Sequence, residues 1–362
     1  MKNVKCNDLN LIKNKINKIK GENKMKKYEL ILKDSIKLAN STLFRVRALI
    51  DFADVKAGDL GGYIQREKNL SHDGNAWVAD NAKVWGEAEV SGDAKVWGEG
   101  EVCGKAKVSG TSWVAGTAKV KDNAEISGNA SVWGEVEISG NAKVSGNVEM
   151  SGNAKVKDNA EVFGDAVVWG EAEVSYNAKV SGEAEIFGNA KVWGEAEVSG
   201  KAKLSGTSWV AGTAKVTDNA EISGNVVVWG NAKISGHAKV WENVEMSGNA
   251  KVFGNAEISG NAVVWGDVEV FGNAKVSGNT ELYGDAKVTK LEDVIVFKNH
   301  WSSGNPFTYT KSNKMWKVGC FYGTGQELIE KAYRDSKNSG NYYKAYVDFV
   351  EILDQLNEER HV

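Results

Sequence analysis

Gly92-Asp93-Ala94-Lys95-Val96-Trp97 is one copy of a six-residue unit that runs from Gly74 to Thr289, thirty-six times, without insertion or deletion. Gly272-Asn273-Ala274-Lys275-Val276-Ser277 is another copy of the same unit. A fixed short period over most of a chain decides the architecture before any single residue is weighed. The fifth residue of each unit is always Val, Ile, Leu or Met, and the third is always Ala, Gly, Ser, Thr or Val. The fourth and sixth are mostly polar or aromatic. This is strand alternation, with the third and fifth residues inward and the fourth and sixth outward. A two-residue corner follows, usually Gly and then Asn, Asp or Glu, the residues most tolerant of turn backbone angles. Where the corner Gly is missing, Asp replaces it at Asp80, Asp122, Asp158 and Asp218, with Tyr176 and Glu242 as the exceptions.

Strands this short and this regularly spaced cannot pair as hairpins; they coil, each turn stacking on the last. Charge fixes the number of units per coil. The fourth position tends to alternate between Lys and Glu, so with three units per coil, residues eighteen apart carry opposite signs. Lys83, Glu101, Lys119, Glu137, Lys155, Glu173 and Lys191 form one such column. Glu89, Lys107, Glu125, Lys143, Glu161, Lys179, Glu197 and Lys215 form a second. Opposite charges on neighbouring strands favour pairing and like charges oppose it. Two or four units per coil would stack like on like. Three units predict twelve coils, and at roughly 4.8 Å per coil a prism about 58 Å long.

The rest of the chain divides around this repeat. Residues 1–25 are basic, with Leu9, Ile12, Ile16 and Ile19 at helical spacing, and read as a flexible extension. Residues 26–73 read as an N-terminal β cap, since a solenoid end exposes unpaired backbone and open core. Residues 290–362 read as a small α+β domain. Its expected strands are Val294–Lys298, Thr308–Lys311 and Met315–Phe321; its expected helices run over 325–336 and 342–357. With a net charge of −3, 42 % hydrophobic residues and no long apolar run, neither a membrane span nor a secretory signal is expected. Near-neutral charge argues against nucleic acid as partner, and the two-signed ladder argues against a nucleic-acid mimic. Cys6, Cys103 and Cys320 lie far apart with no metal or disulfide spacing, which suggests a reducing cytoplasm.

The hexad resembles that of the hexapeptide-repeat left-handed parallel β-helix, a triangular prism; the hand is implied by this resemblance alone. Leu43-Phe-Arg-Val-Arg47, then Asp51-Phe-Ala-Asp-Val-Lys-Ala-Gly-Asp-Leu-Gly-Gly62, then Asn69-Leu-Ser-His72 resemble the YdcK-like hexapeptide-repeat proteins of bacteria, which are acyltransferase-like and uncharacterised. Trp316-Lys-Val-Gly-Cys-Phe-Tyr-Gly-Thr-Gly-Gln-Glu-Leu-Ile-Glu-Lys-Ala-Tyr333 is similar to a module of phage and prophage proteins that share this cap. The resemblance implies an acyl-CoA-dependent transferase with a histidine base, often near a loop that interrupts the coil. No loop interrupts this repeat. The candidate bases are His237, a corner residue that reads as a surface substitution, and His72, which reads as a capping histidine. Too few histidines exist for a zinc site of the superfamily's type, and no cofactor or metal is expected. Gly323-Thr324-Gly325 reads as a helix cap rather than an anion site.

The remaining departures from the repeat are aromatic. Sorted by face, Trp97, Trp113, Trp133, Val167, Trp169 and Phe187 fall together on one. Trp193, Trp209, Val227, Trp229, Val263 and Trp265 fall on the next. The third face is mostly serine, with Phe253 and Phe271 adjacent near its end. Ser109 to Val120 recurs ninety-six residues later as Ser205 to Val216. That shift is five coils and one extra face, so the copied stripe is turned by a third of a circle. Exposed apolar stripes mark interaction surfaces, and Trp is enriched at binding hot spots. The expected function is therefore a non-catalytic scaffold that binds a protein partner or self-associates, for example as a trimer, with acyl transfer as the alternative.

Overall fold

Each hexad of the computed structural model turns a corner and lays down one short strand, and the structure describes residues 26–38 and 40–358. The expected extension over residues 1–25 lies outside the described residues. Corner glycines have positive φ throughout the repeat, as do Asp80, Asp122, Asp158, Tyr176, Asp218 and Glu242 in their place. Between corners the third and fifth residues are sealed inside: Ala76, Val78, Ala82, Val84, Ala88 and Val90 of the first coil are all within 1 % of fully buried. Repeated along the axis, these rows make one continuous Ala/Val core. The core is thin, so each coil is stable only against its neighbours.

Strands pair in parallel with residues eighteen positions away, as the charge columns require. Lys83 faces Glu101, Glu101 faces Lys119, and Glu125 faces Lys143. The paired side chains meet as ions in many coils, for example Lys83–Glu101 at 3.2 Å and Lys215–Glu197 at 2.7 Å. Alternation then fails on the third face, where Lys215 faces Lys233 and Lys233 faces Lys251.

The first face, beginning at Trp77–Val78, and the third, beginning at Glu89–Val90, are sheets of twelve strands. The second begins at Lys83–Val84 and has twelve hexad strands plus three from the cap, fifteen in all. The hexads build the expected twelve coils, and the cap extends them. Leu60–Ile64 of the cap pairs in parallel with Lys83–Val84, and Leu70 bridges Val90, so the cap supplies an incomplete further turn. The solenoid has about thirteen turns.

The cap itself is an antiparallel pair, Tyr28–Leu38 with Ser41–Ala48, running on into Leu60–Ile64. Its chemistry answers a specific need. Strand amides donate toward the next coil, as Lys83 N–H does to Gly100 O, so the first coil is left with unpaired carbonyls. Tyr63 and Gln65 amides donate to Ala82 and Val84 on the second face. Asn69 Nδ2 donates to Ala88 O at 2.7 Å on the third. On the first face the donor is the buried Lys27 ammonium, 2.8 Å from Ala76 O and 3.2 Å from Gly74 O. Burial pushes the Lys27 pKa down to about 8, despite opposing attraction from Asp73 and Asp93.

The last coil has the opposite problem, unpaired amides, and the C-terminal domain supplies acceptors. Thr308 Oγ1 accepts from Glu281 N–H at 3.0 Å, Ser312 Oγ from Lys287 at 2.7 Å and Asp293 Oδ2 from Thr289 at 2.6 Å. The domain is a four-stranded antiparallel sheet with two helices, closed on Phe307, Tyr309, Trp316, Leu328, Tyr343, Val347 and Val350. Two elements differ from the sequence expectation. Met315–Phe321 is not one strand: Met315–Val318 and Phe321–Thr324 form a hairpin, turned at Gly319, whose φ is 53°. The second helix spans Lys337–Glu358, starting earlier than 342. Ser336 Oγ accepts from Ser339 N–H at 3.0 Å and so starts it, one residue after the first helix, Gly325–Asp335. Gly340 sits inside that helix because a Cβ there would lie 2.2 Å from the Tyr333 ring.

Candidate interaction faces

Side chains at the sixth position project from each face beside the next corner, and successive coils set them in a column. On the first face this column brings together Trp97, Trp133, Trp169 and Phe187, with Trp113 in the adjoining fourth-position column. Trp113 is 51 % exposed and Trp133 54 %, high values for indoles in an ordered β surface. On the second face the same pattern holds for Trp193, Trp229 and Trp265, with Trp209 in the fourth position. The two groups lie on adjacent sheets, as the ninety-six-residue duplication requires.

The faces differ in how far they satisfy themselves. On the second, Trp193 stacks on Trp209 at 5.4 Å, Tyr176 leans on Trp193, and the Lys191 ammonium lies over both indoles at about 5 Å. Trp193 is half-buried, and its Nε1 is buried without a hydrogen-bond partner. At the far end Trp265 packs edge-on against Tyr283, which also holds Lys317 and Tyr322 of the C-terminal domain. On the first face the one ring contact within the stripe is Trp169 on Phe187, at 5.0 Å and nearly parallel. Among the described residues, Trp97, Trp113 and Trp133 have no ring partner.

Trp77 is not a surface residue, although it occupies an outward position. Phe52 of the cap packs against its edge, leaving it 5 % exposed. Beside it Asp54, Ala79, Asp80 and Trp97 frame a groove of about 360 Å³ at the end of the first-face stripe. Asp54 reaches Lys95 at 2.6 Å across its rim. The sequence reading also passed over Phe163, which is 40 % exposed on the serine face.

The two candidate histidines are not brought together with other groups suited to catalysis. His237 is exposed, and among the described residues its side chain has no hydrogen-bond or ion-pair partner. His72 is stacked on Tyr28 at 4.3 Å, and its Nδ1 accepts the Lys27 backbone N–H at 3.2 Å. This fixes the neutral Nε2–H tautomer, and Nε2 is buried without a partner. Burial holds its pKa below the ordinary value. His72 therefore packs the cap. Among the described residues no group of three or more His, Cys, Asp or Glu side chains is arranged to hold a metal, and no helix is long and apolar enough to cross a membrane. Thr324 does cap its helix: Thr324 Oγ1 accepts from Glu327 N–H, and Glu327 Oε2 accepts from Thr324 N–H at 2.8 Å.

The corners hold a feature the sequence reading explained only by backbone tolerance. Asp80, Asp122, Asp158 and Asp218 each accept the corner amide one coil further on, at 3.0–3.1 Å, and Glu242 does so at 2.6 Å. Corner asparagines form side-chain ladders, as in Asn225–Asn243–Asn261–Asn279. These devices are structural, and they leave the aromatic stripes as the surface features that fold stability does not explain. No protein-family model matches the chain, and a search of curated proteins gives no match.

Proposed function

We propose that this chain is a non-catalytic interaction scaffold: a rigid β-solenoid that self-associates or holds a protein partner through its outward aromatic stripes. The observation that carries this reading is the first face, where Trp97, Trp113, Trp133 and Trp169 are each 44–54 % exposed along one straight sheet. A fold selected for stability alone gains little from half-exposed indoles in this row. The ladder of opposite charges supplies a cheaper outward surface wherever the stripe is absent. The phage or prophage association implied by the cap and C-terminal resemblance belongs to the same proposal, with the end domains presented beside the stripes.

The test is Trp133→Ser/Trp169→Ser in the full chain. Both side chains point outward, so the fold should survive while native mass or a co-purifying partner is lost. An unchanged mass together with unchanged partners would overturn the scaffold reading. Acyl transfer, the competing assignment, predicts strong thermal stabilisation by acetyl-CoA that His237→Ala or His72→Ala removes. The His72→Ala result needs a folding control, because His72 packs the cap.

A further inference from the structure

Along the first face the sixth position reads Ala79, Trp97, Ala115, Trp133, Ser151, Trp169, Phe187, one residue per coil. Indoles and small residues therefore alternate. Where rings do occupy successive coils they lie face to face, at 5.0 Å for Trp169–Phe187 and again for Phe253–Phe271. The flat side of such a ring thus faces along the prism axis, and the ring stands on the sheet like a fin. Two indoles separated by a small residue are about 9.6 Å apart, two coils of strand spacing. That gap is what one further ring needs to stack at the protein's own spacing on both sides. A fin-and-slot row of this kind is complementary to itself.

Twofold symmetry selects the orientation. A parallel copy would set each indole level with its own counterpart, whereas an antiparallel copy sets each indole over a small residue. We propose that the occupant of the first face is a second copy of this chain, packed antiparallel with its indoles interleaved. This rests on the interaction-scaffold reading and gives it a specific partner, a twofold pair rather than a trimer.

One register satisfies every slot. With the partner's Trp133 over Ala115, its Trp97 falls over Ser151 and its Trp169 over Ala79. The slot over Ala79 is the groove of about 360 Å³ between the cap and Trp97, already walled by Trp77. The second face repeats the pattern, but there Trp209 stacks on Trp193, and Trp265 packs edge-on against Tyr283, which meets the C-terminal domain. The first face is the less self-stacked of the two.

Sedimentation velocity and native mass spectrometry of the full chain test this. The expected mass is twice 39.1 kDa. Ser151→Trp fills a slot while adding aromatic surface, and should give monomer. A thermal midpoint near that of the unaltered chain confirms that the outward variant is folded. A monomeric parent, or a dimer that tolerates Ser151→Trp, would overturn the proposal. If the parent is monomeric but Trp133→Ser/Trp169→Ser releases a protein or glycan that co-purifies with it, the pairing falls and the interaction-face reading stands. If neither mass nor co-purified material changes, both fall.

Discussion

Asp218 offers a clean separation of two effects that coincide at the acidic corners. Its backbone has φ of 62°, the left-handed region, and its Oδ2 accepts the Gly236 amide 3.0 Å away on the next coil. Replacing it with Gly removes the hydrogen bond and any left-handed strain together. Replacing it with Ala removes the bond and imposes the full left-handed cost on a residue with a Cβ. The bond is exposed, so its net contribution is about 1 kcal/mol. The left-handed cost for Ala is about 1–2 kcal/mol, and smaller for Asp. Asp218→Gly should therefore destabilise by no more than about 1 kcal/mol, and Asp218→Ala by about 2–3 kcal/mol. Asp218→Asn, which keeps both an acceptor and tolerance of the conformation, should stay close to the parent. Coils of a solenoid unfold with their neighbours rather than as one unit, so the assay should be local. Hydrogen exchange at Gly236 reports the bond directly, and urea unfolding reports the corner. Faster exchange at Gly236 is expected in both the Gly and Ala variants. Equal stability of those two variants would refute the backbone argument, and unchanged Gly236 exchange in Asp218→Gly would refute the carboxylate bond.

Two further predictions follow from charge. Lys233 lies between Lys215 and Lys251, so Lys233→Glu converts two repulsive neighbours into two attractive ones and should stabilise by roughly 1 kcal/mol. The gain should shrink toward zero in about 1 M salt, where the Debye length falls to about 3 Å. The cap should respond to pH in two windows. Burial depresses both His72 and Lys27, so in each window the unfolded state holds the proton more tightly than the folded state does, and stability rises with pH. The His72 contribution is complete above its ordinary value of 6.5 and is lost on acidification. The Lys27 cost is present below about 8 and is relieved between 8 and 10.5. Above the ordinary tyrosine value of 10.0 the sign reverses, because burial and then Glu67 hold the Tyr28 hydroxyl neutral in the folded state. Exchange rates in Leu60–Ile64, measured from pH 5 to 11 with intrinsic exchange divided out, check all three signs; Lys27→Met should remove the rise above pH 8.

How much of this was written in the sequence depends on what periodicity carries. A period fixes which residues share a column, so the eighteen-residue pairing and the sorting of Trp97, Trp133 and Trp169 from Trp193, Trp229 and Trp265 followed from counting alone. It does not fix what a side chain reaches for. Asp122 and Asp158 were legible as turn residues, but their bonds to Gly140 and Tyr176 need the coil above. Nor does it describe what lies outside the period. Trp77 looks outward by position and is covered because Phe52 arrives from the cap, a tertiary event with no repeat to announce it. The same holds for the second C-terminal helix: the sequence reading starts it at 342, while Gly340, packed close on Tyr333, is already a helix residue.

The chemistry of the two ends bears on where association can occur. A parallel solenoid has a carbonyl edge at one end and an amide edge at the other, so uncapped copies would stack end to end without limit. Here the carbonyl edge meets Lys27, Asn69 and the Tyr63 and Gln65 amides, and the amide edge meets Thr308, Ser312 and Asp293. The donors sit only where acceptors are exposed, and the acceptors only where donors are. The one last strand outside this arrangement, Lys275–Val276 on the first face, is two residues long and carries a charge, a poor template for pairing. Lengthwise growth is therefore suppressed at both ends. What the molecule offers to a partner is its sides, and of the three sides the first alone carries a row of indoles that the chain itself leaves largely unstacked.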